Sequence, residues 1–140
     1  MPPRDGGFAI GLLARSNPKG ALFGHFFGPR HRDLPTLENV AELTPAEAVL
    51  VGRFGHLGLL HGEWPIIGRT EGWDRTEWPI PVFVRYEELT GRTLKVYYDD
   101  NDPVRLLREE RLRRGESAEG PEDGLMGAGF VEIRLGMLLR

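Results

Sequence analysis

Phe8-Ala-Ile-Gly-Leu-Leu-Ala14, Ser16-Asn-Pro-Lys-Gly20 and Ala21-Leu-Phe-Gly-His-Phe-Phe27 follow one another near the start of the chain. Two short apolar runs separated by turn-forming residues predict a β-hairpin. Gly11, Gly24 and Gly28 fall in or directly after these runs. Glycine weakens a strand interior and commonly marks a bend or bulge, so the hairpin is expected to belong to a strongly curved sheet. Pro29 to Asn39, with two prolines and Arg30-His-Arg-Asp33, reads as a loop.

Thr44-Pro-Ala-Glu47 carries a helix-start signature, with Thr44 as cap and Pro45 at the first helical position. Ala48 to Phe54 then has the β-branched and aromatic content of a strand, so a single helical turn leading into a strand is expected. Five glycines between Gly52 and Gly68 argue against a helix there, at about 1 kcal/mol each relative to alanine. That segment is expected to be turn and strand, with Trp64-Pro-Ile-Ile-Gly68 as a strand start. Trp78 to Tyr86 and Arg92 to Tyr98, joined through Thr90-Gly91, predict a second hairpin. Asp102-Pro103 predicts a surface helix from Val104 to Arg114, stopped by Gly115. Glu116 to Gly124 reads as a mobile acidic connection, and Gly129 to Leu135 alternates as a last strand. The expected fold is mainly β, of the α+β class. It is a strongly curved antiparallel sheet, or a small barrel-like sheet, with one surface helix.

The chain has 140 residues, 40% hydrophobic and 28% charged, which suits one globular domain over residues 1–140. No apolar run reaches the roughly 18 residues of a membrane span, and no apolar signal core follows Met1, so a cytoplasmic location is expected. Without cysteine, disulfides, thiolate chemistry and cysteine-containing zinc sites are excluded. The net charge is −3. Acidic groups concentrate in the second half, which argues against general nucleic-acid binding and suits a basic protein partner.

Histidines at 25, 31, 56 and 61 raise a metal or general-base reading. His56 and His61 are five residues apart in a glycine-rich segment and match neither a zinc-protease helix nor a zinc-finger pair. Asp99, Asp100 and Asp102 offer clustered carboxylates, but position six from Asp99 is Val104, not the glycine an EF-hand loop needs. A small metal-dependent hydrolase using His56, His61 and these aspartates is the rival reading; the leading one needs no metal and no cofactor. Glu87 and Glu88 are adjacent on a predicted strand and would point to opposite faces, so they make a poor acid pair. No Gly-x-Ser-x-Gly elbow, phosphate loop or dinucleotide fingerprint is present. Trp64 and Trp78, beside prolines, suit a core. Trp73 stands in a polar stretch, and tryptophan is enriched in binding hot spots. Trp73, Asp99, Asp100, Glu87 and Glu88 are therefore the candidate partner-binding residues.

The Gly7-Phe-Ala-Ile10 hairpin, the block from Phe54-Gly-His-Leu-Gly to Trp64-Pro-Ile-Ile-Gly68, Pro79-Ile-Pro-Val-Phe83 and Thr90-Gly-Arg to Tyr98 together resemble the immunity protein 26 family. The resemblance runs from residue 7 to about 114, with Gly129 to Leu135 matching a later strand. It departs at the longer Ser16 to Gly20 turn and at the Arg-rich stretch with its acidic sequel. Members are encoded beside secreted polymorphic toxins. The resemblance therefore implies a non-enzymatic protein that binds and neutralises a cognate toxin, such as a nuclease with a basic surface, and it leaves self-association open. It supplies a role but no site residues.

Overall fold

A computed structural model describes residues 6–40, 42–60, 62–70, 73–113, 115–116 and 119–139. The predicted first hairpin is β1 (Phe8–Ser16) and β2 (Ala21–His31), so β2 runs further than expected into the Pro29 stretch. Gly20 closes the turn at a φ of +86°, where a side chain would be strained and a Cβ would meet the His56 ring at 2.1 Å. After a 3-10 turn at Pro45–Glu47, β3 (Leu50–Gly55) pairs antiparallel with β2. The Thr44 side chain makes no bond to the backbone; its hydroxyl donates to Glu47 at 3.1 Å. One helical turn, α1 (Leu57–Leu60), follows where turn and strand were expected. Gly58 makes it fit, because a Cβ there would stand 2.5 Å from the Trp64 indole.

The second hairpin is β4 (Phe83–Glu87) with β5 (Arg92–Asp99), and β6 (Asp102–Arg111) extends it into a three-stranded antiparallel sheet. A short β7 (Leu125–Met126) runs parallel to β3 and completes a sheet of order β1-β2-β3-β7. The chain ends in α2 (Ala128–Leu138). The mainly β, α+β expectation is met by two curved sheets that do not close into a barrel.

Three expectations are corrected. The helix expected from Val104 to Arg114 is not formed: Lys95 pairs with Glu110 and Val96 with Glu109, so Val104 to Arg111 belongs to strand β6, and Arg114 lies outside the described residues. The Asp102 carboxylate accepts the Val104 N–H at 3.1 Å. That bond over two residues is common to helix caps and Asx turns, and here it shapes the β5–β6 turn. Gly129 to Leu135 is helical, not a strand, because burial follows the i, i+4 pair Val131 and Leu135 while Ile133 between them is 44% exposed. The longest helix among the described residues is thus α2, not one that starts at Asp102. Trp64 to Gly68 forms no strand, since Trp64 is anchored by its own backbone N–H to the Gly58 carbonyl at 2.9 Å.

The first sheet is covered on both faces, which explains why Ala21 to Phe27 of its inner strand β2 is buried throughout. Ile10, Ala14, Phe23 and Phe27 face Phe83, Leu94, Val96 and Tyr98 of the second sheet, with Trp78 between them. Ala9, Leu22, Phe26 and Phe54 face Trp64 and the Val131 and Leu135 stripe of α2. Each fully buried Phe contributes about 1.5–3 kcal/mol, so these two clusters supply the main driving force for folding.

Candidate functional site

An apolar cleft of about 530 Å³ opens beside β1, between the Leu34–Val40 stretch and the Trp64–Trp73 stretch. Its floor is the second core cluster, reached at Phe26, Phe54 and Trp64. The Trp64 indole N–H donates to the Glu132 carboxylate of α2 at 2.9 Å, which fixes that ring as a wall. Exposed Leu13, Leu34, Leu37 and Ile66 form the walls towards solvent, and Trp73 stands at the same cleft, 36% exposed. Large apolar side chains left in water around a concave floor are what a recognition pocket offers, and a volume of this size falls in the usual range of about 300–1,000 Å³. Trp64 and Trp78 are buried, as expected for core residues.

The other candidate residues lie elsewhere. Asp99, Asp100 and Asp102 form the β5–β6 turn and serve the fold. Asp100 accepts from Arg15 at 2.8 Å and from Arg75 at 3.1 Å; these partners, Arg15 first, hold its carboxyl below the usual value despite some burial. Asp102 accepts from Asn17 at 3.0 Å and Asp99 from the Asn101 N–H at 2.7 Å. Arg75, two residues after Trp73, also donates to the Asp100 carbonyl at 2.7 Å, which ties the end of the cleft segment to this turn. Glu87 and Glu88 sit at the opposite end of β5, where Glu87 accepts from the Thr90 hydroxyl at 3.1 Å and Glu88 is exposed. The structure thus brings Trp73 to the cleft and leaves the four acidic candidates outside its lining.

Among the described residues the histidine and carboxylate set of the rival reading is not brought together. The His56 ring packs on Gly20, His61 lies outside the described residues, and the aspartates are engaged as above. Among the described residues no three His, Cys, Asp or Glu side chains converge as a metal would require. His25 is buried between Phe23 and Trp78, with ring centroids 5.1 and 5.0 Å away, and its Nδ1 has no partner. Burial, assisted by the nearby Arg15 charge, lowers its pKa to about 4, so it is neutral at pH 7.

A buried ionic knot joins the two sheets. Asp123, in the connection before β7, accepts from Arg53 of β3 at 2.6 Å, Arg85 of β4 at 2.9 Å and the Tyr98 hydroxyl of β5 at 2.5 Å. The Arg53 guanidinium lies over the Tyr98 ring, 4.0 Å from its centroid. Burial works against the Asp123 charge, yet the bonds from Tyr98 and Arg85 and the two cationic neighbours outweigh it and depress its pKa. The bridging connection is the one expected to be mobile, and its described part is tied down further by Val84 N–H to the Pro121 carbonyl at 2.9 Å.

Nothing in the sequence pattern marked the cleft as a unit, because its described lining is drawn from residues 9–13, from between 34 and 40, and from residues 64–70 with Trp73. The one legible sign was Trp73, a large aromatic in a polar stretch.

The fold and this site define an α+β protein of two stacked sheets with an open apolar cleft. The family model for Immunity protein 26 matches residues 1–94, two thirds of the chain, and the chain belongs to that family. The match ends at Leu94 in β5, short of the expected residue 114. It contains every residue that lines the cleft, whereas β6, β7 and α2 lie beyond it. Searches of curated proteins and of solved structures find no match. Membership of an immunity family points to toxin neutralisation, a role generally exercised without catalysis.

Proposed function

We propose that this chain neutralises a cognate secreted toxin by binding it non-covalently, with the cleft between Leu34 and Trp73 as the contact surface. The observation that carries the reading is the cleft itself: exposed Leu13, Leu34, Ile66 and Trp73 stand around a concave apolar floor, all within the family-matched residues. Interface energy concentrates in such pockets around aromatic anchors. The acidic second half supports the reading less. Asp100, Glu109, Glu116 and Asp123 are held by Arg15, Arg85, Lys95 and Arg53 and have little charge left for steering a basic partner. On this reading residues 1–140 act as one unit in the cytoplasm. No helix among the described residues is long and apolar enough to cross a membrane.

Co-expression with the genes neighbouring this one is the test, and one of them should encode a toxin that arrests growth. The wild-type chain should restore growth. Ile66→Asp and Trp73→Ala, both surface changes that leave the core intact, should abolish or sharply reduce protection while the circular dichroism spectrum stays native. Full protection by both folded variants would overturn the assignment of the cleft.

A further inference from the structure

The cleft carries a charge pattern of its own. Arg69 is the only charged side chain among the described residues that line it, and Thr70, half-buried, stands next to it. Arg69 is exposed and takes part in no hydrogen bond or ion pair among the described residues. That sets it apart from Arg15, Arg53, Arg75 and Arg85, each committed to an aspartate. Apart from Thr70, the described side chains around the opening are apolar: Leu13, Leu34 and Leu37 on one side, Ile66 and Trp73 on the other.

A guanidinium with five donors and no acceptor, left in water beside an apolar hollow, is complementary to an anion placed just outside that hollow. We infer that the cleft recognises a partner segment in which a bulky apolar side chain is followed directly by a carboxylate. The apolar side chain enters between Trp64 and Trp73, and the carboxylate pairs with Arg69. This rests on the proposed toxin-binding role and refines it. The partner's contact segment is acidic, the reverse of the basic partner that net charge alone suggests. The apolar insertion supplies affinity, while the Arg69 pair, at the solvent-exposed rim, supplies selectivity and register.

The test needs no identified toxin. The full chain is titrated by NMR with three blocked dipeptides, N-acetyl-Phe-Asp-amide, N-acetyl-Phe-Asn-amide and N-acetyl-Phe-Lys-amide, and the three indole N–H signals are followed. Trp64 and Trp73 line the cleft, whereas Trp78 is buried in the other cluster and serves as an internal control. The expected result is movement of the Trp64 and Trp73 signals with Trp78 unmoved. The Asp peptide should bind about threefold to fivefold more tightly than the Asn peptide, the scale of a rim ion pair, and the Lys peptide more weakly still. Arg69→Gln should erase the difference between Asp and Asn, as should high salt. Equal binding of all three peptides, a preference that survives Arg69→Gln, or no shift at the solubility limit of the probes would overturn the inference. Its failure is separable from that of the proposed function. If Ile66→Asp and Trp73→Ala lose protection while Arg69→Gln keeps it in full, the cleft stands as the toxin site and the carboxylate preference falls.

Discussion

Replacing Asp123 by alanine should remove much of the stability of this protein. The Arg53 and Asp123 side chains are only 7% and 6% exposed, and Asp123 is the sole carboxylate paired with Arg53 among the described ion pairs. Removing it leaves a guanidinium enclosed between Tyr98 and Phe83, with a single long bond of 3.4 Å to the Pro103 carbonyl. Breaking a buried pair from one side costs about 3–5 kcal/mol, part of it the unpaired Tyr98 hydroxyl. Against a total stability of about 5–15 kcal/mol, that is a large fraction. In urea titrations at pH 7, with a slope near 2 kcal/mol per molar, the midpoint should fall by roughly 2 M. Asp123→Asn keeps one acceptor oxygen and should lose about half as much. The double change Arg53→Met with Asp123→Leu should recover most of the loss, because apolar replacement of a buried pair is often neutral. The pH dependence has a definite sign. The folded-state pKa of Asp123 is depressed, so its contribution is complete above the unfolded value near 3.9 and is lost as pH falls through the folded value. The gap between wild type and Asp123→Ala should therefore hold from pH 7 to pH 5 and narrow only below about pH 4. A midpoint shift under about 0.5 M for Asp123→Ala, corresponding to about 1 kcal/mol, would refute the view that this carboxylate ties the sheets together.

Other perturbations test separate parts of the structure. His25 has a folded pKa of about 4 against 6.5 unfolded, so its neutral form favours folding fully above pH 6.5 and that contribution is lost as pH falls from 6.5 towards 4. The total is roughly 3 kcal/mol, and His25→Leu should flatten the stability curve measured by urea unfolding over that window. Leu135→Ala should cost about 2–5 kcal/mol by thermal or urea unfolding, whereas Ile133→Ala should cost under about 1 kcal/mol; comparable losses at the two sites would restore the strand reading of this segment. Trp73→Ala should change stability by less than about 1 kcal/mol while lowering toxin protection, which separates a surface contact from a core residue.

Much of the first sheet could be read without coordinates, because its signals are local. The turn residues Ser16 to Gly20 and the apolar runs on either side specify a hairpin by chain geometry alone, and Thr90-Gly91 does the same for β4 and β5. Trp73 could be picked out because a large aromatic in a polar stretch has no local reason to be buried. Two segments satisfied opposite readings equally well. In Val131-Glu-Ile-Arg-Leu135 the ends are in register for both a two-residue and a four-residue period, so only the exposure of Ile133 tells them apart. In Asp102 to Arg111 strong helix formers follow a residue able to cap, yet pairing along β5 overrides that local preference.

Local chemistry, then, determined the hairpins, the absence of thiol chemistry and the standing of Trp73 as an aromatic in a polar stretch, since each depends on residue types or on residues within a few positions of one another. Tertiary structure alone decided that Asp100 and Asp102 brace the β1–β2 turn, that Asp123 meets two arginines and a tyrosine from three strands, and that three distant segments enclose one cleft. Those outcomes depend on which faces become buried together, and burial is a property of the whole packed chain.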